Sequence, residues 1–318
     1  MLDVRRLRLL SELSRRGTIA AVARAVGYTP SAISQSLALL EREAGVTLLE
    51  RDGRRVRLSP AAEGLVARAD RVLAELDAAE AELAAEHGSV RGGLRIGAFP
   101  SAAAELVVPA VLALAERHPE LVCSVGEHEP EDGIPLLRSG ELDLLVSESY
   151  DGVSHAPAGG LESHRLLSEP QWLLLPERHP APDPVALESL REERWIGGLA
   201  GTQYAAALEH ACRSAGFTPR IAHRADEASF IQRLAEARLG VGLLPALARS
   251  GPYRVRYAAA VPEPPRRHVW ALVRQGAAGC PAVTAALEEL RRVAGAAAQA
   301  ATARRPTPVM EGPSPSPR

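Results

Sequence analysis

The sequence contains no lysine: all 37 basic residues of the 318-residue chain are arginine. With so much alanine beside it, this reads as GC-rich codon usage rather than as a functional signature. Cysteine is almost missing. Cys123, Cys212 and Cys280 lie far apart with no CxxC spacing, which excludes a disulfide frame or zinc knuckle and points to a reducing compartment. No apolar run approaches the ~18 residues that cross a bilayer. The N-terminal stretch MLDVRRLRLLSELSRR is charged throughout and lacks the apolar core of a secretory signal, so a cytoplasmic location with no membrane partner is expected. There is no GxSxG elbow, Walker A loop, GxGxxG after a strand or HExxH. The nine histidines run from His87 to His268 without metal-ligand spacing. No enzyme activity, metal or cofactor is therefore expected.

What is present describes a globular protein: 46% apolar and 24% charged residues, in a chain about twice the ~150-residue prior for one domain. Lys+Arg and Asp+Glu nearly cancel, 37 against 39, so any affinity for nucleic acid must come from a local patch. The charge is indeed segregated. Residues 1–58 carry 11 Arg and 6 acidic residues, a surplus of +5, whereas residues 59–87 carry 2 Arg and 7 acidic residues, or −5. Residues 88–299 stand at −4 and residues 300–318, Pro/Ser-rich and expected to be disordered, at +2. These are the expected domain limits.

In the basic module Leu7, Leu10 and Leu13, with Leu9, make the apolar face of one helix that Gly17 stops. Thr18 is placed to cap a two-turn helix carrying Ile19, Val22, Ala23 and Val26, with Gly27 at its C′ position. Thr29 caps a third helix with Pro30 at its first position and Ile33, Leu37 and Leu40 as its buried stripe. Two short helices around a glycine-containing turn are the helix-turn-helix signature. Ser31, Ser34, Gln35 and Ser36 then lie at the exposed N-terminal end of the third helix, where short polar groups reach phosphates or base edges. Thr18, Thr29 and Pro30, at the helix starts, complete the candidate DNA-facing set. A plain helical hairpin with a solvated polar face is the competing interpretation. From Leu48 to Ser59, Val56 and Leu58 alternate with Arg55 and Arg57 around an Asp52-Gly53 turn signal, the pattern of a two-stranded wing. Arg51, Arg54 and Arg55 would clamp phosphates from it, unless the hairpin is merely solvated and charged.

The stretch from Gly17 to Gly64, GTIAAVARAVGYTPSAISQSLALLEREAGVTLLERDGRRVRLSPAAEG, resembles the winged helix-turn-helix of LysR-type transcriptional regulators. Where that family commonly has Gln then Pro at the start of the recognition helix, this chain has Pro30 then Ser31. Gln35 stands at a commonly basic position. Both departures bear on operator sequence.

From Pro60 to His87, Leu65, Ala69, Val72, Leu76, Ala79 and Leu83 recur at spacings of 4, 3, 4, 3 and 4. This is an a/d seam on a long linker helix that needs a partner. The partner could be the chain's own body; the resemblance implies a second copy, hence a homodimer and by further assembly a tetramer.

Beyond Gly92-Gly93, strands alternate with helices: Leu94–Phe99, Ser101–Arg117, Leu121–Val125, Asp132–Arg138, Leu142–Val146. That order implies parallel pairing. A loop from Asp151 to Ser163 leads to a second half with strands near Gln171–Leu175, Arg194–Ile196, Arg220–His223 and Val241–Leu244, and helices at Tyr204–Ala215 and Ser229–Ala237. The chain returns through a strand at Val269–Val273 and a helix at Pro281–Ala300. The expected fold is therefore α/β, with an N-terminal all-α winged helix-turn-helix, a long linker helix and a two-lobed effector domain. Lobe I takes residues 88–163 and 268–299, and lobe II residues 164–267. LRIGAF, RSGELDLLV and RLGVGLLP resemble the LysR effector domain, which is similar in fold to periplasmic binding proteins. Trp172, Trp195 and Trp270 are expected in the lobe cores.

Ligands in such sheets sit at strand C-termini and helix N-termini. Ser101, Ala102, Ser147, Thr202 and Gln203 are the candidates, with Ser101 as a simple helix cap the alternative. A helix starting at Ser101 would favour an anionic group, so a small organic acid is the expected effector. The reading is a DNA-binding regulator of double-stranded promoter DNA, modulated by a small, anionic ligand. Its rival is a clamshell enzyme or solute-binding protein with an N-terminal interaction module.

Overall fold

The computed structural model describes residues 1–26, 28–52, 55–85, 90–153, 160–249 and 251–303. The N-terminal domain begins with α1 (Val4–Arg16), whose first amides are capped by the Asp3 carboxylate. Gly17 ends it at φ +71°, returning its N–H to the Leu13 carbonyl at 2.9 Å, a left-handed position that glycine occupies without steric strain. Helices α2 (Ile19–Val26) and α3 (Pro30–Ala44) follow. Leu7, Leu10, Leu13, Val22, Ala23, Ile33, Leu37 and Leu40 are buried together, the interior of a three-helix unit. Strands β1 (Leu49–Asp52) and β2 (Arg55–Leu58) pair antiparallel with Leu49 opposite Leu58 and Asp52 opposite Arg55. The Glu41 carboxylate on α3 accepts from the amides of Leu48 (2.8 Å) and Leu49 (2.9 Å), tying the wing to α3. The expected roles of Gly27 and of the Asp52-Gly53 turn involve positions 27 and 53, outside the described residues.

Helix α4 (Pro60–Ala85) has 26 residues, about 39 Å at 1.5 Å per residue. Its seam divides. Leu65 and Ala69 pack into the chain's own N-terminal core, and Leu73, one residue off the expected seam, is buried. Val72, Leu76 and Ala79 stay exposed. Asp70 is buried beside Arg15, whose guanidinium lies 3.1 Å from it. The side chain of Leu83 and residue His87 lie outside the described residues.

Lobe I is a five-stranded sheet in the order β4 (Leu121–Glu127), β3 (Gly92–Ala98), β5 (Leu144–Tyr150), β14 (Arg267–Arg274), β6 (Leu161–Glu169). Strands β3 (Gly92–Ala98), β4 (Leu121–Glu127) and β5 (Leu144–Tyr150) pair in parallel. Between them run α5 (Pro100–Ala102), a π-helical turn Ala103–Val107 and α6 (Val108–Arg117), then α7 (Pro130–Ser139). β6 (Leu161–Glu169) adds an edge strand, so the expected break at residue 163 is corrected: the chain stays in lobe I until Glu169. Ser163 and Arg165 are exposed whereas Leu167 and Glu169 are buried, the strand passing inward after a bulge opposite Val269 and Trp270.

Lobe II starts at β7 (Gln171–Pro176) and contains β8 (Val185–Ala186), β9 (Arg194–Gly197), α8 (Gln203–Ser214), β10 (Arg220–Arg224), α9 (Ala228–Glu236), β11 (Gly242–Pro245), β12 (Val255–Ala258) and β13 (Ala260–Val261). β7 is flanked antiparallel by β11 and β12, while β9 and β10, and β8 and β13, pair in parallel. Trp195 is fully buried there and Trp172 is half-buried on β7, while Trp270, half-buried, packs against the Leu137, Leu142, Leu145 and Leu272 cluster of lobe I. β14 (Arg267–Arg274) returns to lobe I, antiparallel to both β5 and β6, and α10 (Pro281–Ala303) closes it. Gln171 Nε2 donates to the Pro265 carbonyl at 2.7 Å, joining the two crossovers at the hinge. No described helix is long and apolar enough to cross a membrane.

Candidate functional site

Two surfaces carry the chemistry. The first is the outer end of α3. Thr29 caps the helix, its Oγ1 accepting from Ala32 N at 3.2 Å and lying 3.0 Å from Ser31 Oγ. Pro30 occupies the first helical position, where the missing N–H costs no bond. Ser31, Ser34 and Gln35 are exposed on this end and Ser36 is half-buried. Thr18 Oγ1 accepts from Ala21 N at 3.2 Å at the start of α2. Tyr28 is 65% exposed in the turn just before α3, and sequence patterning passes over it because a lone aromatic in a turn belongs to no apolar stripe. Pairing in the wing sets Arg51 opposite Val56 and Arg55 opposite Asp52. The side chains of Arg51 and Arg55, and all of Arg54, lie outside the described residues.

The second is a cavity of about 140 Å³ between the lobes. Lobe I contributes Phe99, Ser101, Glu129, Glu148, Tyr150 and Arg267; lobe II contributes Tyr204, Asp226, Glu227, Ile231 and Leu244. Arg267 opens β14 at the hinge and is buried to 3% exposure. Its Nε donates to Glu169 Oε1 (2.8 Å), its Nη1 to Glu148 Oε2 (3.0 Å) and its Nη2 to Ser101 Oγ (3.2 Å), and it stacks 4.9 Å over the Phe99 ring. Burial works against this charge, but Glu169, Tyr150 and Glu148 outweigh it and push the pKa further up. Glu169 also accepts the Leu247 amide at 2.6 Å. The guanidinium is thus paired inside the protein on both sides.

The expected ligand residues separate. Ser101 lies on the cavity wall, but α5 starts at Pro100 with Phe99 in the capping position, so Ser101 is inside the helix and is not its cap. Ala102 is fully buried in the lobe I core. Ser147 sits in mid-β5 opposite Trp270, because the strand continues to Tyr150 rather than ending at Val146; it does not line the cavity. Thr202 caps α8 and Gln203 opens it, and neither lines the cavity. Thr202 Oγ1 is 3.5 Å from Asp226, which does. The expected preference for an organic acid also meets a different charge: five lining carboxylates face a single guanidinium that is already neutralised.

Burial, then the charges of Glu148, Asp226 and Glu131, push the Glu129 carboxyl up to about 8 against the opposing pull of Arg267. An unfolded glutamate titrates near 4.5, so the folded protein holds a proton that the unfolded chain has released between those values. Stability therefore declines as pH rises from about 4.5 through 8. Glu129→Gln cannot make that loss. Its stability should match wild type near pH 5 and exceed it at pH 8.5, by at least about 1 kcal/mol after allowing for solvent screening of a half-buried group. Equal pH slopes in thermal melts of the two proteins would contradict this.

A winged helix-turn-helix joined by a long helix to a hinged, two-lobed α/β domain with a cavity at the lobe junction defines a ligand-responsive DNA-binding regulator. Comparison with known proteins places it further. The family described as "Bacterial regulatory helix-turn-helix protein, lysR family" matches residues 4–63, and "LysR substrate binding domain" matches residues 87–295. The "Probable hydrogen peroxide-inducible genes activator" of Streptomyces viridosporus is 38% identical over 58% of this chain, which spans 65% of that relative's length. The "Transcriptional dual regulator GltC" of Bacillus subtilis (strain 168) is 27% identical over 77% of this chain and 81% of its own. Among solved structures, a full-length OxyR variant from Pseudomonas aeruginosa superposes with a TM-score of 0.71, covering 92% of this chain and 95% of that one at 21% identity. The chain belongs to the LysR family of transcriptional regulators; it binds DNA and is not an enzyme.

Proposed function

We propose that this regulator acts in the cytoplasm as a dimer on promoter DNA, and that a small ligand in the interlobe cavity sets its activity. The observation that carries the reading is the cavity itself, walled by both lobes next to the hinge, on the same chain as an exposed recognition helix. Closing the lobes on a ligand changes the shape of the effector domain, which α4 links to the DNA-binding domain. Ser31, Ser34, Gln35 and Ser36 read the major groove, with Thr18, Thr29 and Pro30 beside them, while Arg51, Arg54 and Arg55 hold phosphates. The exposed Val72, Leu76 and Ala79 form the seam between two copies.

Footprinting of the full-length protein on DNA upstream of its own gene tests the assignment. Arg54→Ala with Arg55→Ala should weaken binding to all sequences alike and lower the log-log salt slope by about one for each phosphate no longer neutralised. Gln35→Ala should instead shift sequence preference with the slope intact. An unchanged slope in the arginine variant would remove the wing from the interface.

Two of the three cysteines, Cys212 and Cys123, argue against thiol oxidation as the signal. Cys212 is sealed in the lobe II core, where burial pushes its thiol up to about 12, and burial raises Cys123 as well. The thiolate is the form that reacts with peroxide. Operator binding measured before and after millimolar hydrogen peroxide should be the same for wild type and for Cys212→Ala. A peroxide response abolished in Cys212→Ala would reverse this.

A further inference from the structure

We propose that the interlobe cavity takes an organic cation, a small molecule carrying an ammonium or guanidinium group, and that this cation draws the two lobes together. The proposal rests on the reading of this cavity as the effector site and adds the charge of what enters it. Among the described residues of the wall, Arg267 alone is basic. Glu148 on one side and Glu169 on the other pair with it, and the Ser101 hydroxyl turns toward it as well. It has no unmatched charge left for a ligand carboxylate.

Apart from Glu105, which is exposed on the π-helical turn, the carboxyl groups that remain come from both lobes. Glu129 precedes α7 in lobe I and makes no capping bond to that helix. Asp226 precedes α9 in lobe II, where its Oδ1 accepts from Leu199 N at 2.9 Å. Glu227 beside it is committed to capping α9 through the Ser229 and Phe230 amides. Glu129 and Asp226 line the same cavity from opposite lobes. An anion entering here would add a further negative charge to a wall that already carries carboxyl groups from both lobes. A cation can be held by both groups at once, and because they belong to different lobes, holding it favours closure. The rings of Phe99, Tyr150 and Tyr204 on the wall suit an alkyl chain or the face of a cation. At about 140 Å³ the cavity is below the usual range of roughly 300–1,000 Å³ for drug-sized ligands, which restricts the cation to the scale of a diamine or a guanidino-alkyl chain.

Protonated Glu129 must give up its proton to face a cation. The other groups bearing on it are Glu148 on β5, Asp226 before α9 and Glu131 on α7, which favour the proton, and Arg267 on β14, which opposes it. Cation binding should therefore release a proton and tighten as pH rises from 6.5 to 8.5.

The test uses the full-length protein in thermal-shift and calorimetric titrations. The cationic probes are putrescine, agmatine, arginine and methylammonium; the anionic probes are succinate, glutarate and glutamate. At least one cationic probe should raise the melting temperature, with binding more than 10-fold weaker in Glu129→Gln and in Asp226→Asn, and heats that vary with buffer ionisation as proton release requires. Circular dichroism checks that both variants are folded. If no cationic probe binds, or if a dicarboxylate binds and is unaffected by Glu129→Gln, the charge assignment is overturned. Ala104→Trp, which fills the cavity from the exposed edge of its wall, separates the two failures. Dicarboxylate binding abolished in that variant would leave the effector site standing with the opposite charge. Cation binding retained in it would place the ligand elsewhere and overturn both readings.

Discussion

Arg267→Met is expected to destabilise the effector domain by about 3–5 kcal/mol, the usual cost of breaking a buried ion pair from one side. The substitution keeps most of the side-chain volume but leaves Glu148 and Glu169 in the interior without their counter-charge; Arg267, Glu148 and Glu169 are each under 5% exposed. Glu148 would retain the Tyr150 hydroxyl at 3.1 Å and Glu169 the Leu247 amide at 2.6 Å, neither of which supplies a positive charge. For a domain of this size the melting temperature should fall by roughly 10 °C. Adding Glu148→Gln and Glu169→Gln to Arg267→Met should recover much of the stability, because the cost lies in the stranded charges more than in the missing hydrogen bonds. Arg95→Ala is the comparison: Arg95 reaches Asp143 at 2.8 Å with 45% of its side chain exposed, and such pairs contribute at most about 1 kcal/mol. Equal melting temperatures for the Arg267 and Arg95 variants would mean that the hinge cluster holds nothing together.

The second large effect is expected at Leu76→Glu. Leu76 is 40% exposed and Val72 48% exposed on the single chain, one turn apart on α4. In a paired seam each copy would bring a carboxylate into an apolar interface, at a cost of several kcal/mol. The dimer dissociation constant should rise at least roughly 100-fold, and operator affinity should fall with it, since two half-sites would no longer be held by one body. Sedimentation velocity showing an intact Leu76→Glu dimer at micromolar concentration would remove α4 from the interface. Ala69→Glu gives the contrasting result: Ala69 is 2% exposed within the chain's own core, so that change should lower the melting temperature of the monomer fold itself.

The α4 seam also shows where sequence patterning stops. A 3.5-residue period identifies the apolar face of a helix but does not say what covers each turn. Leu65 and Ala69 are covered by α1 and the wing's base, whereas Val72 and Leu76 are left uncovered by the described residues of the chain. The N-terminal domain, by contrast, was almost entirely legible. Its determinants are local: Asp3, Thr29, Gly17 and Gly45 cap or stop helices within a few residues, and the period of Ile33, Leu37 and Leu40 sets the buried face of α3. The strand–helix alternation of lobe I was legible for the same reason. The edge strand β6 was not, because it begins directly after a Gly/Ser/Pro-rich loop, its burial follows no regular period, and the pattern alone does not show which sheet it joins.

Sequence by itself determined the recognition helix, the wing strands, the linker helix and the strand–helix order of the α/β body, all of which follow from capping and periodicity within single elements. Tertiary structure alone decided the character of the cavity. Arg267 meets Glu169 across 98 positions, Glu148 across 119 and Ser101 across 166, and Glu129 and Asp226 line one cavity from opposite lobes. No local spacing encodes such encounters. In sequence Ser101 reads as the start of an anion-binding helix; folded, it faces an arginine whose charge is already neutralised by carboxylates. Electrostatic character depends on the distances between all the charges in a site and on the water excluded from it, and only the closed fold sets those.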